Sequence, residues 1–112
     1  MASDRPTTKI IAGKYKGKIL ELPSLDVTRS SKARLKESLF NVLQFDIIDK
    51  IFIESFAGSG SIGLEAISRG AKRAYFIEKD RNSYQILLKN CKAVEMEKCQ
   101  TVQANTLVQT PL

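Results

Sequence analysis

Two carboxylates and a set of glycines are the residues of this chain whose spacing could do chemistry. Glu54 follows the apolar run Ile51-Phe52-Ile53, and Phe56, Gly58, Gly60 and Gly63 come next, before a helical pattern. A strand that runs through such glycines into a helix is what a cofactor-binding turn requires. Gly58 admits the positive φ of a tight turn. Gly60 lets the backbone approach a ligand, and Gly63 lets the first helical turn pack close to the strand. The next apolar run, Ala74-Tyr75-Phe76-Ile77, ends in Glu78, 18 residues after Gly60. A carboxylate there accepts hydrogen bonds from both hydroxyls of a ribose. The bland alternative is that Glu78 only adds negative charge beside Asp80 at the next helix start, worth about 0.3 kcal/mol.

Two cofactor classes use such a turn. A dinucleotide seats its pyrophosphate on the helix N-terminus. S-adenosylmethionine has no phosphate, and its cationic groups call for a nearby carboxylate, which Glu54 is placed to supply. Glu78 therefore supports a nucleoside ligand, and Glu54 tilts the choice toward S-adenosylmethionine.

The elements that must position these residues follow from periodicity. Lys9 to Leu22 reads as two short strands around Gly13 and Gly17, after an aperiodic start at Met1 to Thr8. Pro23 to Thr28 is a linker. Ser31 to Leu43 is an amphipathic helix with Leu35, Leu39, Val42 and Leu43 on its apolar face, Lys32 and Lys36 on another side, and Ser30 or Ser31 as cap. Gln44 to Lys50 breaks the pattern. Strand 51–56 is followed by a helix over Ser61 to Arg69, ended by Gly70. Strand 73–78 is followed by a helix from Asp80, with Tyr84, Leu87, Leu88 and Cys91 facing inward and Tyr84 read as core. A third strand is expected around Gln100 to Ala104. Strand–helix alternation implies a parallel sheet with right-handed crossovers. Ligands then sit at the carboxyl ends of the strands, where Glu54, Gly58, Gly60, Glu78 and Asn105 converge.

The net charge of +6 on 112 residues is unevenly placed. Residues 1–36 hold nine Lys or Arg against three Asp or Glu, and residues 37–112 hold nine of each. This segregation suggests a basic, RNA-facing segment at 1–46, which carries most of the excess charge, attached to a cofactor domain at 47–112. A solvated hairpin without a partner is the plain alternative. The segment Lys14-Tyr15-Lys16-Gly17-Lys18 mixes cations with an aromatic, which suits phosphates and a stacked base. Arg29, Lys32, Arg34 and Lys36 extend the same expectation.

Other classes are disfavoured. No apolar run approaches the length of a membrane span, and the start lacks a hydrophobic export segment, so a cytoplasmic setting is expected. Cys91 and Cys99 lack metal-site spacing and read as reduced, mostly buried thiols, with a disulfide as the lesser alternative. The chain has no histidine, which removes the commonest general base and metal ligand.

Several segments resemble the RsmD-type methyltransferases, which methylate the N2 amine of a guanine in 16S ribosomal RNA. They are Lys9 to Gly17, Thr28 to Asn41, Phe56 to Ala66, Ser68 to Ala71 and Phe76 to Asp80. The resemblance implies the N-terminal part of a Rossmann-like fold, S-adenosylmethionine as methyl donor, and ribosomal RNA or the small ribosomal subunit as partner. It implies cofactor contacts at the Gly58–Gly60 loop and Glu78. It places the Arg29 to Lys36 block near the entrance of the active site.

The chain departs from the family pattern in four places. Glu54 stands where Asp is usual, Ser30-Ser31 where Pro-Thr is usual, and Asn105 near a usual Asp that lies close to adenine. The family's Asn/Asp-Pro-Pro-Tyr/Phe segment, which would align the guanine amine, is not found before Leu112. Two rival readings are an NAD-type oxidoreductase domain and a non-catalytic RNA-binding module. The first strand would be an edge here rather than central, so a dimer or aggregate is expected. Purified 1–112 is expected to transfer no methyl group to ribosomal RNA or a small-subunit particle, and label appearing in either would contradict this.

Overall fold

The computed structural model describes residues 6–23, 36–42, 46–55 and 57–104. Arg29, Lys32, Arg34, Phe56, Asn105 and the expected caps Ser30 and Ser31 lie outside them. Strands β1 (Thr7–Lys9) and β2 (Ile19–Glu21) pair antiparallel. Residues 36–42 are helical (α1). Then come β3 (Ile51–Ser55), α2 (Ser61–Ser68), β4 (Arg73–Ile77), α3 (Arg81–Val94), a 3-10 turn (Met96–Lys98) and β5 (Cys99–Val102). The three later strands form a parallel sheet in the order β3-β4-β5. The expected alternation and direction are therefore present, and β3 is an edge among the described residues.

Local signals explain the helix ends. Gly70 N–H donates to the Ile67 carbonyl and Ala71 N–H to the Ala66 carbonyl, with Gly70 at φ +111°. That double bond pattern closes α2 on a glycine. Asp80 caps α3 by accepting the Ser83 N–H at 2.8 Å. This bond holds the Asp80 carboxyl below its ordinary pKa.

One core cluster lies between the hairpin, the helices and one face of the sheet. It joins Ile10 and Leu20 of the hairpin to Leu64, Phe76, Leu87 and Cys91. A second joins Phe40 of α1 to Ile47, Ile62, Ala66 and Ala71. The hairpin and α1 thus pack into the same two cores as the parallel sheet, so the boundary expected at 46/47 does not divide the packing. On the other face of the sheet Ile51 and Ile53 are each 55% exposed.

Three expectations are corrected. Thr7 and Thr8 are in β1, not in a loose start, because Thr7 pairs with Glu21 and Thr8 with Leu20. Val42 is 77% exposed rather than part of the buried face of α1. Lys36, expected outside, is 2% exposed and lies with Phe40, one turn on, against α2. The helix is rotated by what it meets: a carboxylate for Lys36 and an apolar pocket for Phe40.

The hairpin is seated at the C-terminal end of α2. Lys14 N–H donates to the Ser68 carbonyl at 2.8 Å, and a Cβ on Gly13 would lie 2.0 Å from that oxygen. Gly17 has a similar positive φ but nothing within 4 Å of an added Cβ. Gly17→Ala is expected to cost about 1 kcal/mol of backbone strain. Gly13→Ala should cost about 3 kcal/mol or more, since strain and a backbone collision combine. Urea unfolding of the two variants checks this, and equal losses would mean that the close seat is not real.

Candidate functional site

The turn after β3 is built by hydrogen bonds to two buried carboxylates. Glu78, at the end of β4, accepts the Gly58 N–H on Oε1 and the Asp80 N–H on Oε2, both at 2.8 Å. It therefore ties the glycine turn to the start of α3. Glu54 accepts the Gly63 N–H at 2.9 Å. Gly63 is the third residue of α2, whose N-cap Gly60 offers no side chain. Glu54 thus supplies from the neighbouring strand the acceptor that a capping residue would provide, and its charge faces the positive end of the helix.

Gly63 makes the close approach read from its type: an added Cβ would lie 2.3 Å from Phe76 of β4. Gly60 has a different reason than expected. Its Cβ would meet Leu87 of α3 at 2.5 Å, so packing beneath the turn already excludes a side chain there. Glu54, Gly58, Gly60 and Glu78 do converge at the carboxyl ends of β3 and β4.

Two polar residues in this construction carried no signal in the apolar periodicity. Asn90 is buried on α3, where its Nδ2 donates to the carbonyls of Ser59 and Glu21 and its Oδ1 accepts the Glu21 N–H. It joins the hairpin to the glycine turn. Glu65 is buried on α2 and accepts the Ile11 N–H at 2.9 Å and the Ala12 N–H at 3.1 Å. Its oxygens also meet Lys36 Nζ at 3.2 Å and Arg69 Nε at 2.8 Å. Arg69 then lies over the Phe40 ring, 4.9 Å from its centroid. Ser68 adds two bonds, accepting the Tyr15 N–H and donating to the Ala12 carbonyl. For Glu65 and Ser68 the one available hint was a charged and a hydroxyl residue on a short, mostly apolar helix.

The expected RNA contacts divide. Lys14, Lys16 and Lys18 are exposed. Lys36 is not available, because its ammonium is engaged by Glu65 and by the Lys9 carbonyl. Tyr15 is half-buried against the first core, and its hydroxyl donates to Glu95 at 2.7 Å. That bond raises the Tyr15 pKa and lowers that of Glu95. Tyr15 is thus an anchor of the hairpin, with the Lys14 ammonium 5.4 Å from its ring centroid. The hairpin tip sits at the C-terminal end of α2, and the glycine turn at its N-terminal end. Eight residues of helix separate them, about 12 Å. Cys91 and Cys99 are free and buried, and contact with Cys99 together with burial pushes the Cys91 thiol up.

This geometry matches known proteins. A family described as conserved hypothetical protein 95 matches residues 8–111. Ribosomal RNA small subunit methyltransferase D of Escherichia coli strain K12 is 38% identical over 99 residues, covering 88% of this chain and 50% of that protein. The chain belongs to the RsmD-type family. Methyltransferase D of Haemophilus influenzae is also 38% identical, over 93% of this chain and 52% of its own length. A solved structure described as the putative methyltransferase yhhF from Escherichia coli superposes with a TM-score of 0.79 at 38% identity, covering 89% of this chain and 54% of that one. The architecture is the N-terminal part of the Rossmann-like methyltransferase fold, and the chain spans about half the length of the RsmD-type relatives it matches.

Removing one member of a buried charge cluster strands the others. Glu65→Ala is therefore expected to lower the unfolding free energy by about 3 kcal/mol or more. Lys89→Ala, which breaks an exposed pair with Glu21, should cost less than about 1 kcal/mol. Chemical denaturation compares them, and a loss at Glu65 no larger than at Lys89 would show that the cluster holds nothing together.

Proposed function

We propose that this chain carries the cofactor-binding half of an S-adenosylmethionine-dependent methyltransferase acting on the N2 amine of a guanine in small-subunit ribosomal RNA. The observation that supports it most is Glu78, held by the Gly58 and Asp80 N–H groups at the end of β4. A carboxylate oxygen has two lone pairs, so an oxygen bonded to one N–H can still accept a ribose hydroxyl. The two hydroxyls would meet an acceptor that is already oriented. An NAD-type ligand would use the same carboxylate, but the names of the relatives favour the methyl donor.

The residues present fit the cofactor. Glu78 would orient the ribose, the Gly58–Gly60 turn would bed the methionine part, and Glu54 would set a negative charge near its ammonium. Asn105 would face the adenine edge, and Phe56 would complete the turn. When bound, S-adenosylmethionine supplies a methyl group on a sulfonium centre. The protein's contribution is alignment of that centre with the lone pair of the guanine amine, which proximity and fixed dipoles supply without a histidine. The exposed cations Lys14, Lys16 and Lys18 would hold phosphates of the RNA, and Arg29, Lys32 and Arg34 complete the proposed RNA set. By the family resemblance, the residues that would grip the guanine lie in an Asn/Asp-Pro-Pro-Tyr/Phe segment that residues 1–112 do not contain, so this chain alone is proposed to be inactive.

Calorimetric titration of the chain with S-adenosylmethionine, with NAD run beside it, tests the reading. Binding of S-adenosylmethionine alone is expected. Glu78→Ala should weaken it at least about tenfold, since bonds to a charged acceptor are lost, and should leave RNA binding unchanged. Undiminished affinity in that variant would reduce Glu78 to a brace between the turn and α3.

A further inference from the structure

Three backbone hydrogen bonds gather distant cations around one short stretch of chain. Lys14 N–H reaches the Ser68 carbonyl, Asp49 N–H the Gly70 carbonyl, and Lys72 N–H the Lys50 carbonyl. Residues 68–72 span at most about 14 Å even when extended. Lys14, Lys16 and Lys18 of the hairpin are thereby brought beside Lys50 and Lys72, and all five are exposed. Arg73, the first residue of β4, pairs with Ile51 at the same end of the sheet. None of these six cations forms an ion pair among the described residues. Asp46, Asp49 and Glu97 are the exposed acids nearby, whereas Glu95 is engaged by Tyr15 and Lys98. Positive charge is in excess.

This cluster lies where the strands begin. The glycine turn and Glu78 lie where they end. The five residues of β3 between the two rise about 17 Å. Lys50 and Lys72 belong to the part of the chain whose charge sums to zero, so the fold, not the composition, places them with the basic hairpin. The tip is also fixed: Gly13 is seated on Ser68, and Glu65 holds Ile11 and Ala12. A helix C-terminus accounts for one cation beside Ser68, but not for Lys50 and Lys72 at the starts of strands. A rigid group of unpaired cations is suited to phosphates, which fix position without reading sequence.

We propose that the phosphate-binding surface for RNA extends from Lys14, Lys16 and Lys18 of the hairpin to Lys50 and Lys72 at the start of the sheet, opposite the cofactor turn. This rests on the reading of the chain as part of an RNA methyltransferase. An RNA that engages both ends must span the height of the sheet, so the partner reaches beyond the target base itself.

The test compares the parent chain with the double variant Lys50→Gln, Lys72→Gln. Both positions are exposed and lie outside the proposed cofactor site, and a thermal melt confirms that the variant folds. Fluorescence anisotropy measures binding of a stem-loop of about 30 nucleotides and of a guanine-containing pentamer over a salt series. For the stem-loop, the variant should lose at least about tenfold in affinity, and its salt slope should fall by about 2. The pentamer, with fewer phosphates to engage, should lose less than the stem-loop does. Equal stem-loop affinity and slope in both proteins would remove this surface while leaving the methyltransferase reading intact. Failure of the parent to bind the stem-loop would overturn the RNA reading and this surface with it. Unchanged RNA binding together with lost binding to phosphatidylserine vesicles would assign the cations to a lipid surface instead.

Discussion

The carboxylate of Glu65 is where three parts of the chain meet, and each of its contacts fixes one of them. The N–H groups of Ile11 and Ala12 bring the hairpin onto α2, Lys36 brings α1, and Arg69 closes the group and covers Phe40. One negative charge is surrounded by two positive ones in a place without water. Such a cluster holds together only if every member is present, because its desolvation cost is not recovered pair by pair. The apolar clusters on either side depend on it in turn. Ile10 and Leu20 reach Phe76 and Leu87 only if the hairpin is seated, and Phe40 reaches Ile62 and Ala66 only if α1 is.

What was legible in the sequence was local. The glycine turn, the alternation of strands and helices, the Gly70 stop and the helix start at Asp80 depend on neighbours within a few positions, and each is found where its residues placed it. Lys36 and Val42 show where that reasoning ends. Periodicity assigned Val42 to the buried face and Lys36 to the outer one, and the structure exchanges them because Glu65, remote in sequence, lies under Lys36. Tyr15 shows the same limit: an aromatic between lysines suits nucleic acid, but its neighbours in sequence do not reveal that Glu95, 80 residues on, takes its hydroxyl. Asn90 gave no signal, since a buried amide is stable only when its donors and acceptor are all matched, and its partners Ser59 and Glu21 come from two other elements.

The glycine turn is shaped by the same sharing of contacts. Neither Glu54 nor Glu78 is set aside for a ligand: one completes the start of α2 and the other links the turn to α3. Carboxylates already fixed by backbone N–H groups need little reordering to meet another donor, which lowers the entropy lost on binding. The other face of the sheet is left plain, with Ile51 and Ile53 open to solvent. Parallel strands are usually covered on both faces, and these two side chains mark where the described residues stop supplying cover.

Asn90 has a mechanical consequence. Its amide holds the Glu21 backbone with one donor and its acceptor, and the Ser59 carbonyl with its other donor. The hairpin cannot slide along α3 without stretching the bond to the turn that carries Gly58 and Gly60. A load applied to the hairpin is therefore transmitted, through one side chain, to the loop at the far end of the sheet.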